Sequence, residues 1–348
     1  MRIHYKSYRF ILKWICLVIF TLPLFPSCSI NEAEQFVRKG NEEFLQKKYA
    51  ESIIDYTKAI ELQPHYATAY CCRGQAKYCL HNYQGAIQDY NKAIELNPKY
   101  PKAYNDRGLV RNVLKDYQNA IQDYNKAIDI DPTYAYAYNG RGLVENNLKD
   151  YQSATNDYNQ AIKLNPDEAS FYVNRGLTKS WLKDFPGAIE DCNKAIDISP
   201  NLANAYNNRG YAKNHLGNYR GAIQDYDKAI ELKPDDAIEY NNRGLAKDNL
   251  LDYSEAIKDY SKAIGIDSGM AAFYNNRGLA KKHLGDYQGA IQDYNKVIET
   301  TPDDPDAYYN RGLAKIKIKD KEGACADFDK GVALKGSNAI EAKREYCQ

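Results

Sequence analysis

Tyr219, Ala222, Ile223, Tyr226, Ala229 and Ile230 recur at spacings of three and four, as Tyr219 to Ala222 and to Ile223, with mostly polar residues filling the gaps. That spacing gathers the apolar and small side chains on one face of an α-helix and is incompatible with the alternation of a half-buried strand. A second run, Tyr206, Gly210, Ala212 and Leu216, precedes it, and Gly217 followed by Asn218 is a turn signal between the two. The pattern predicts a helical hairpin with two arms of about 14 residues each.

The hairpin is written many times over. The word YNNRG stands at 206–210, 240–244 and 274–278, and Gly40, Gly74, Gly108, Gly142, Gly176, Gly210, Gly244, Gly278 and Gly312 lie 34 residues apart. Nine units cover 33–66, 67–100, 101–134, 135–168, 169–202, 203–236, 237–270, 271–304 and 305–338, after a leading segment 1–28 and a linker 29–32. Residues 339–348 read as a truncated capping helix. With each unit numbered 1 to 34, the glycines fall at position 8, and proline closes seven units at position 32, Ser268 and Gly336 being the exceptions. Chains below about 40 residues rarely bury enough surface to fold alone, so each hairpin needs its neighbour and the units must stack.

In the sixth unit the repeated positions are Tyr206, Gly210, Ala222, Tyr226, Ala229 and Pro234, at 4, 8, 20, 24, 27 and 32. With that set the chain resembles the tetratricopeptide-repeat proteins, over nine units of 34 or 306 residues. The resemblance implies an all-α fold: an α-solenoid, a right-handed superhelix of nine hairpins plus a C-terminal capping helix. The 34-residue ruler also accounts for the 32 tyrosines, most of which sit at positions 4, 17 and 24 as core packing. Glycine inside a helix costs about 1 kcal/mol relative to alanine, which asks for a compensating close contact. The expected contact is with the alanine at position 20, as Gly244 against Ala256.

Position 7 is arginine in eight units and Lys39 in the first, while position 23 is aspartate in all nine. The two readings are a basic track for an anionic ligand and an ion pair between the two arms of each hairpin. One anion per cation leaves little free field, which favours the ion pair.

Function is expected where the units differ. In the family the first helices line a concave groove through positions 2, 5, 9, 12 and 13. Here position 5 brings Asn207, Asn241 and Asn275, and position 9 brings Leu177, Tyr211, Leu245 and Leu279. An amide donates to and accepts from a peptide backbone, and leucine covers apolar side chains, so the surface suits an extended or helical peptide. Position 13 varies most, with Trp181, His215 and His283 among its residues. Trp181 reads either as an aromatic anchor for a partner or as a filler beside Ser180. The two histidines lie two units apart and read as groove residues, with no metal and no cofactor expected. Position 11, tyrosine in the family, is mostly lysine, as in Lys213 and Lys247. The lysine and asparagine pair with which some relatives hold chaperone C-termini is missing, so that ligand is not expected. Gly265, Ser268 and Gly269 interrupt the pattern between the seventh and eighth units.

Charge excludes several functions. Forty-seven basic residues balance 46 acidic ones, giving a net charge of +1 and no footprint for nucleic acid. Neither a nucleophile elbow, nor a zinc-protease helix, nor a phosphate loop occurs, and no catalysis is expected. Cys71 and Cys72 point about 100° apart on a helix and cannot easily share a tetrahedral site with Cys79 and His81. Cys325 and Cys347 both lie near the C-terminal end, within reach of a disulfide.

Arg2, Lys6, Arg9 and Lys13 precede an uncharged run from Trp14 to Phe25. It is an export signal in form, about 18 Å as a helix against a bilayer core of about 30 Å. Its end, LFPSCS, resembles the lipobox of bacterial lipoproteins, which implies an acylated Cys28; Phe25 departs from the usual leucine, and cleavage by an ordinary signal peptidase stays open. The expected protein is exported to the cell envelope, in one form an outer-membrane lipoprotein facing the periplasm or exterior. Its expected role is a non-catalytic scaffold for protein or peptide ligands, with an accessory or regulatory subunit of an envelope enzyme as the alternative.

Overall fold

The computed structural model describes residues 31–347, so the leading segment with Cys28 lies outside the described residues. Among the described residues there are nineteen α-helices and no strand. The described residues divide into two compact units, one up to residue 184 and one from residue 185 on.

The first unit holds α1 (Glu32–Leu45), α2 (Tyr49–Leu62), α3 (Ala67–Cys79), α4 (Tyr83–Leu96), α5 (Pro101–Val113), α6 (Tyr117–Ile130), α7 (Ala135–Asn147), α8 (Tyr151–Leu164) and α9 (Ala169–Trp181). Each helix packs on the next in the chain, and the first helices α1, α3, α5, α7 and α9 also touch one another in order. The second unit begins with α10 (Phe185–Ile198), α11 (Ala203–His215), α12 (Tyr219–Leu232), α13 (Ala237–Asn249) and α14 (Tyr253–Ile266). It ends with α15 (Ala271–His283), α16 (Tyr287–Thr300), α17 (Pro305–Lys317), α18 (Lys321–Ala333) and α19 (Ser337–Tyr346). There too the hairpins stack in chain order, with α19 against both α17 and α18. Each unit is thus a length of all-α solenoid, as the 34-residue period predicts. The glycine interruption leaves α14 unbroken, and Asp267 accepts the Gly269 N–H in the turn that follows.

The turns obey a rule that only two units spell openly. Position 15 takes a left-handed backbone everywhere it is described, with φ near +60° at Lys47, His81, Lys115, Lys149, Lys183, Leu251 and Lys319; Gly217 and Gly285 alone do so without a side chain. The next residue caps the second helix in most hairpins: Asn82, Asp150, Asn218, Asp252, Asp286 and Asp320 each accept the backbone N–H three residues on.

One sequence expectation is corrected. A Cβ at Gly244 would fall 2.7 Å from Cε1 of Tyr260, and the same clash recurs between Gly74 and Tyr90, Gly210 and Tyr226, and Gly312 and Phe328. The aromatic at position 24, rather than the alanine at 20, fills the space that position 8 leaves open. The alanine backbone comes near only as a further contact, as Ala120 does to Gly108. The reason is size: the alanines at 20 and 27 are themselves fully buried, and the ring between them needs a place to extend.

Candidate binding face

The electrostatic frame comes first, because it decides which charges remain for a ligand. Arg209 donates from Nη2 to Asp225 Oδ1 at 2.6 Å and from Nε to Oδ2 at 3.0 Å, and Lys213 reaches Oδ2 at 2.8 Å. The third arm of the same guanidinium donates to Asn193 Oδ1, 2.7 Å away on the preceding hairpin, and its plane lies over the Tyr206 ring. The pattern repeats around Asp89, Asp259, Asp293 and Asp327. Every one of these aspartates is buried, so its two cations replace lost water. The ion-pair reading holds and the basic track fails: the position 7 cations are consumed inside the stack. The lysine at position 11 is explained as the second cation on that carboxylate. Where position 11 is Glu145, the second cation is missing, and burial beside Asp157 pushes Glu145 up to about 8.

Of the ten residues singled out for the groove, two lie in the first unit and eight in the second. Leu177 and Trp181 lie on α9 of the first unit, both half-buried, with Trp181 against the ring of Tyr151 at 5.2 Å. The other eight lie on α11, α13 and α15 of the second unit. There Asn207 and Asn241 accept from Asn242 and Asn276, at 3.1 and 2.9 Å, so that one amide ladder links three first helices. The first unit has one rung of the same kind, from Asn174 to Asn139. The carbonyl oxygens of Asn207 and Asn241 are therefore committed to the fold, and among the described residues nothing takes their NH2 groups or either group of the Asn275 amide at the end of this ladder. Leu245, Leu279 and Tyr211 sit half-buried one turn on. Exposed His215 stacks on Phe185 with ring centroids 4.8 Å apart and meets Tyr211 edge-on, while exposed His283 stacks on Tyr253 at 4.7 Å. Position 13 thus rests each time on the position 17 aromatic of the preceding hairpin, as Trp181 does on Tyr151.

Two sets of residues escaped the sequence reading. Asn174, Asn242 and Asn276 at position 6 build the ladder, and Asn193 with its equivalents Asn91, Asn125, Asp227 and Asn295 receives the arginine. The signal was present at position 25, where every residue from Thr57 to Asp329 carries a side-chain acceptor. Cys71 is a fully buried thiol, pushed far up by desolvation, with Lys102 and Asp106 beside it. No group of three His, Cys, Asp or Glu side chains among the described residues is placed to hold a metal.

Comparison with known proteins gives the same repeat. A model described as TPR repeat matches residues 40–80, 78–111 and 280–318, and two described as tetratricopeptide repeat match 101–134, 135–168 and 203–236, and 240–269 and 305–338. Among solved structures, the APC/C hetero-tetramer Cut9-Hcn1 is similar at 18% identity and a TM-score of 0.66 over 82% of this chain. This chain spans 57% of that one. A tetratricopeptide repeat protein from Parabacteroides merdae is similar at 18% identity and a TM-score of 0.55, over 72% of this chain and 98% of that one. At these identities both likenesses show the fold. No curated protein matches the chain.

Proposed function

The chain belongs to the tetratricopeptide-repeat family, and we propose on that premise that it is a non-catalytic scaffold holding peptide segments of other proteins against its first helices. The observation that carries this reading is the face made by α11, α13 and α15. Amide donors from Asn207, Asn241 and Asn275 run beside half-buried Tyr211, Leu245 and Leu279, with His215 and His283 exposed at the edge. Donors at one height and apolar side chains at the next suit a peptide backbone and its alternate side chains. The arginines at position 7 and the lysines at position 11 of the second unit are already paired with buried aspartates, so none of these offers its charge to an acidic segment.

We further propose that the protein works outside the cytoplasm, anchored through an acylated Cys28. Two observations support this: the LFPSCS sequence after its basic and apolar run, and the Cys325 to Cys347 disulfide, a bond typical of oxidising compartments. The test has two arms. Cys28→Ala should move the protein from the membrane to the soluble fraction with its helical spectrum unchanged. In the second arm a photo-crosslinking side chain at position 245 should capture a defined partner from envelope extracts. The adduct should be lost when Leu279→Lys and Asn275→Ala are introduced; an undiminished adduct would move the ligand off this face.

A further inference from the structure

The far end of the second unit holds a pocket of about 310 Å³ that the peptide reading does not use. It is lined by Lys282, Tyr287, Leu313, Ile316, Lys317 and Tyr346, from α15, α16, α17 and α19. Its size lies at the lower end of the range for small-molecule sites, about 300 to 1,000 Å³.

Three features separate it from the rest of the stack. First, its cations break the repeat. Position 12 is otherwise amide, hydroxyl, aromatic or acid along the first eight units, and Lys282 alone is basic there; Lys317 is likewise the one lysine at position 13. Second, these cations lack partners. The lysines at position 11 are tied to buried aspartates, whereas no carboxylate of the described residues pairs with Lys282 or Lys317. Burial lowers the Lys282 ammonium from its ordinary value, and no acid opposes the shift. Third, the remaining wall is apolar and fixed. Leu313 and Ile316 form one side, and Tyr346 closes the other, packed on Phe328 at 6.2 Å and adjacent to Cys347, which is bonded to Cys325.

We propose that this pocket binds a carboxylate carried on a short apolar stem, the anion between Lys282 and Lys317 and the stem against Leu313, Ile316 and the tyrosine rings. Half-buried Lys282 and exposed Lys317 both line this pocket without a carboxylate partner and favour an anion, and a bare inorganic one would leave the aliphatic wall unused. The proposal does not depend on the peptide-binding face. Such a ligand comes from two sources, a medium-chain fatty acid or the C-terminal residue of a peptide, and the probes tell them apart.

The experiment titrates the full chain with octanoate and with N-acetyl-leucine, following the methyl NMR signals of Leu313 and Ile316. Octanol, N-acetyl-leucinamide and inorganic phosphate serve as controls. At least one carboxylate should shift those methyls saturably, and its neutral counterpart and phosphate should bind at least tenfold more weakly. Tighter octanoate assigns the fatty acid, and tighter N-acetyl-leucine assigns the peptide end. Lys282→Gln with Lys317→Gln should weaken binding at least tenfold with the helical spectrum intact, and Tyr346→Ala should weaken it without touching a charge. Equal binding of the neutral analogues, phosphate binding as strong as the carboxylates, full binding by the double lysine variant, or no shift with either carboxylate would overturn the proposal.

Discussion

At position 3 five units carry alanine and two carry phenylalanine, yet the seventh carries Glu239, 2% exposed and with Oε2 unpartnered. Burial first, then the nearby Asp236, pushes its carboxyl up to about 8, and Lys233 only partly offsets them. The folded protein therefore holds a proton that the unfolded chain releases near pH 4.3. Stability must fall as pH rises through that window, by at most ~1.4 kcal/mol per pH unit for this group. Glu239→Gln should flatten the urea midpoint between pH 5 and 8 relative to the parent; parallel profiles would mean that the carboxyl is already ionised in the fold. At Gly244, one of the repeated position 8 glycines, the constraint is size rather than charge. Alanine there gains about 1 kcal/mol of helix propensity but places its Cβ against Tyr260, and overpacking of that kind costs about 1–3 kcal/mol. Gly244→Ala should lower the urea midpoint, and Tyr260→Leu in the same chain should recover most of the loss. Recovery by a change at Ala256 instead would restore the contact the sequence suggested.

At the scale of the helix pair, the hairpin and the period were legible because they are local: spacing of three and four, a turn, and a count of 34. The Arg209 and Asp225 pair was legible too, since charge matched in every unit is hard to explain otherwise. What lay hidden depends on how one hairpin meets the next. The third arm of Arg209 crosses to Asn193, and Asn242 crosses to Asn207, relations that appear in the sequence only as a preference for acceptors at position 25 and for asparagine at 6. The left-handed turn was likewise masked, because lysine fills position 15 where glycine would have announced it. The candidate face was legible as a set of positions, but not the commitment of its amide oxygens or the stacking of His215 on Phe185. These cross-links make one aspartate matter to two hairpins. Asp225→Asn leaves Arg209 and Lys213 around a neutral group in a buried setting, and removal of one partner from such a site typically costs about 3–5 kcal/mol. Hydrogen exchange should quicken in α11 and α12 and in α10 through Asn193. A loss confined to α11 and α12 would show the third arm of Arg209 to be idle.

For the molecule as a whole, a solenoid has no single core to fail; stability is distributed, and each compact unit opens where its contacts are fewest. In the second unit that place is the C-terminal end. The last hairpin has Lys321 where most units have an aromatic and Gly331 where they have alanine, and α19 covers it with only ten residues. The Cys325 to Cys347 bond compensates by tying α19 to α18 across a sequence separation of 22, a constraint that chain entropy values at roughly 3 kcal/mol. Because the bond acts on α18 and α19 and not on the α11 and α12 hairpin, its effect should not spread. Reduction, or Cys325→Ser with Cys347→Ser, should raise hydrogen exchange in residues 321–347 by about two orders of magnitude while leaving 203–236 at its former rate. Global loosening on reduction would mean that the second unit unfolds as one cooperative body, and stacking by neighbours alone would no longer describe how it holds together.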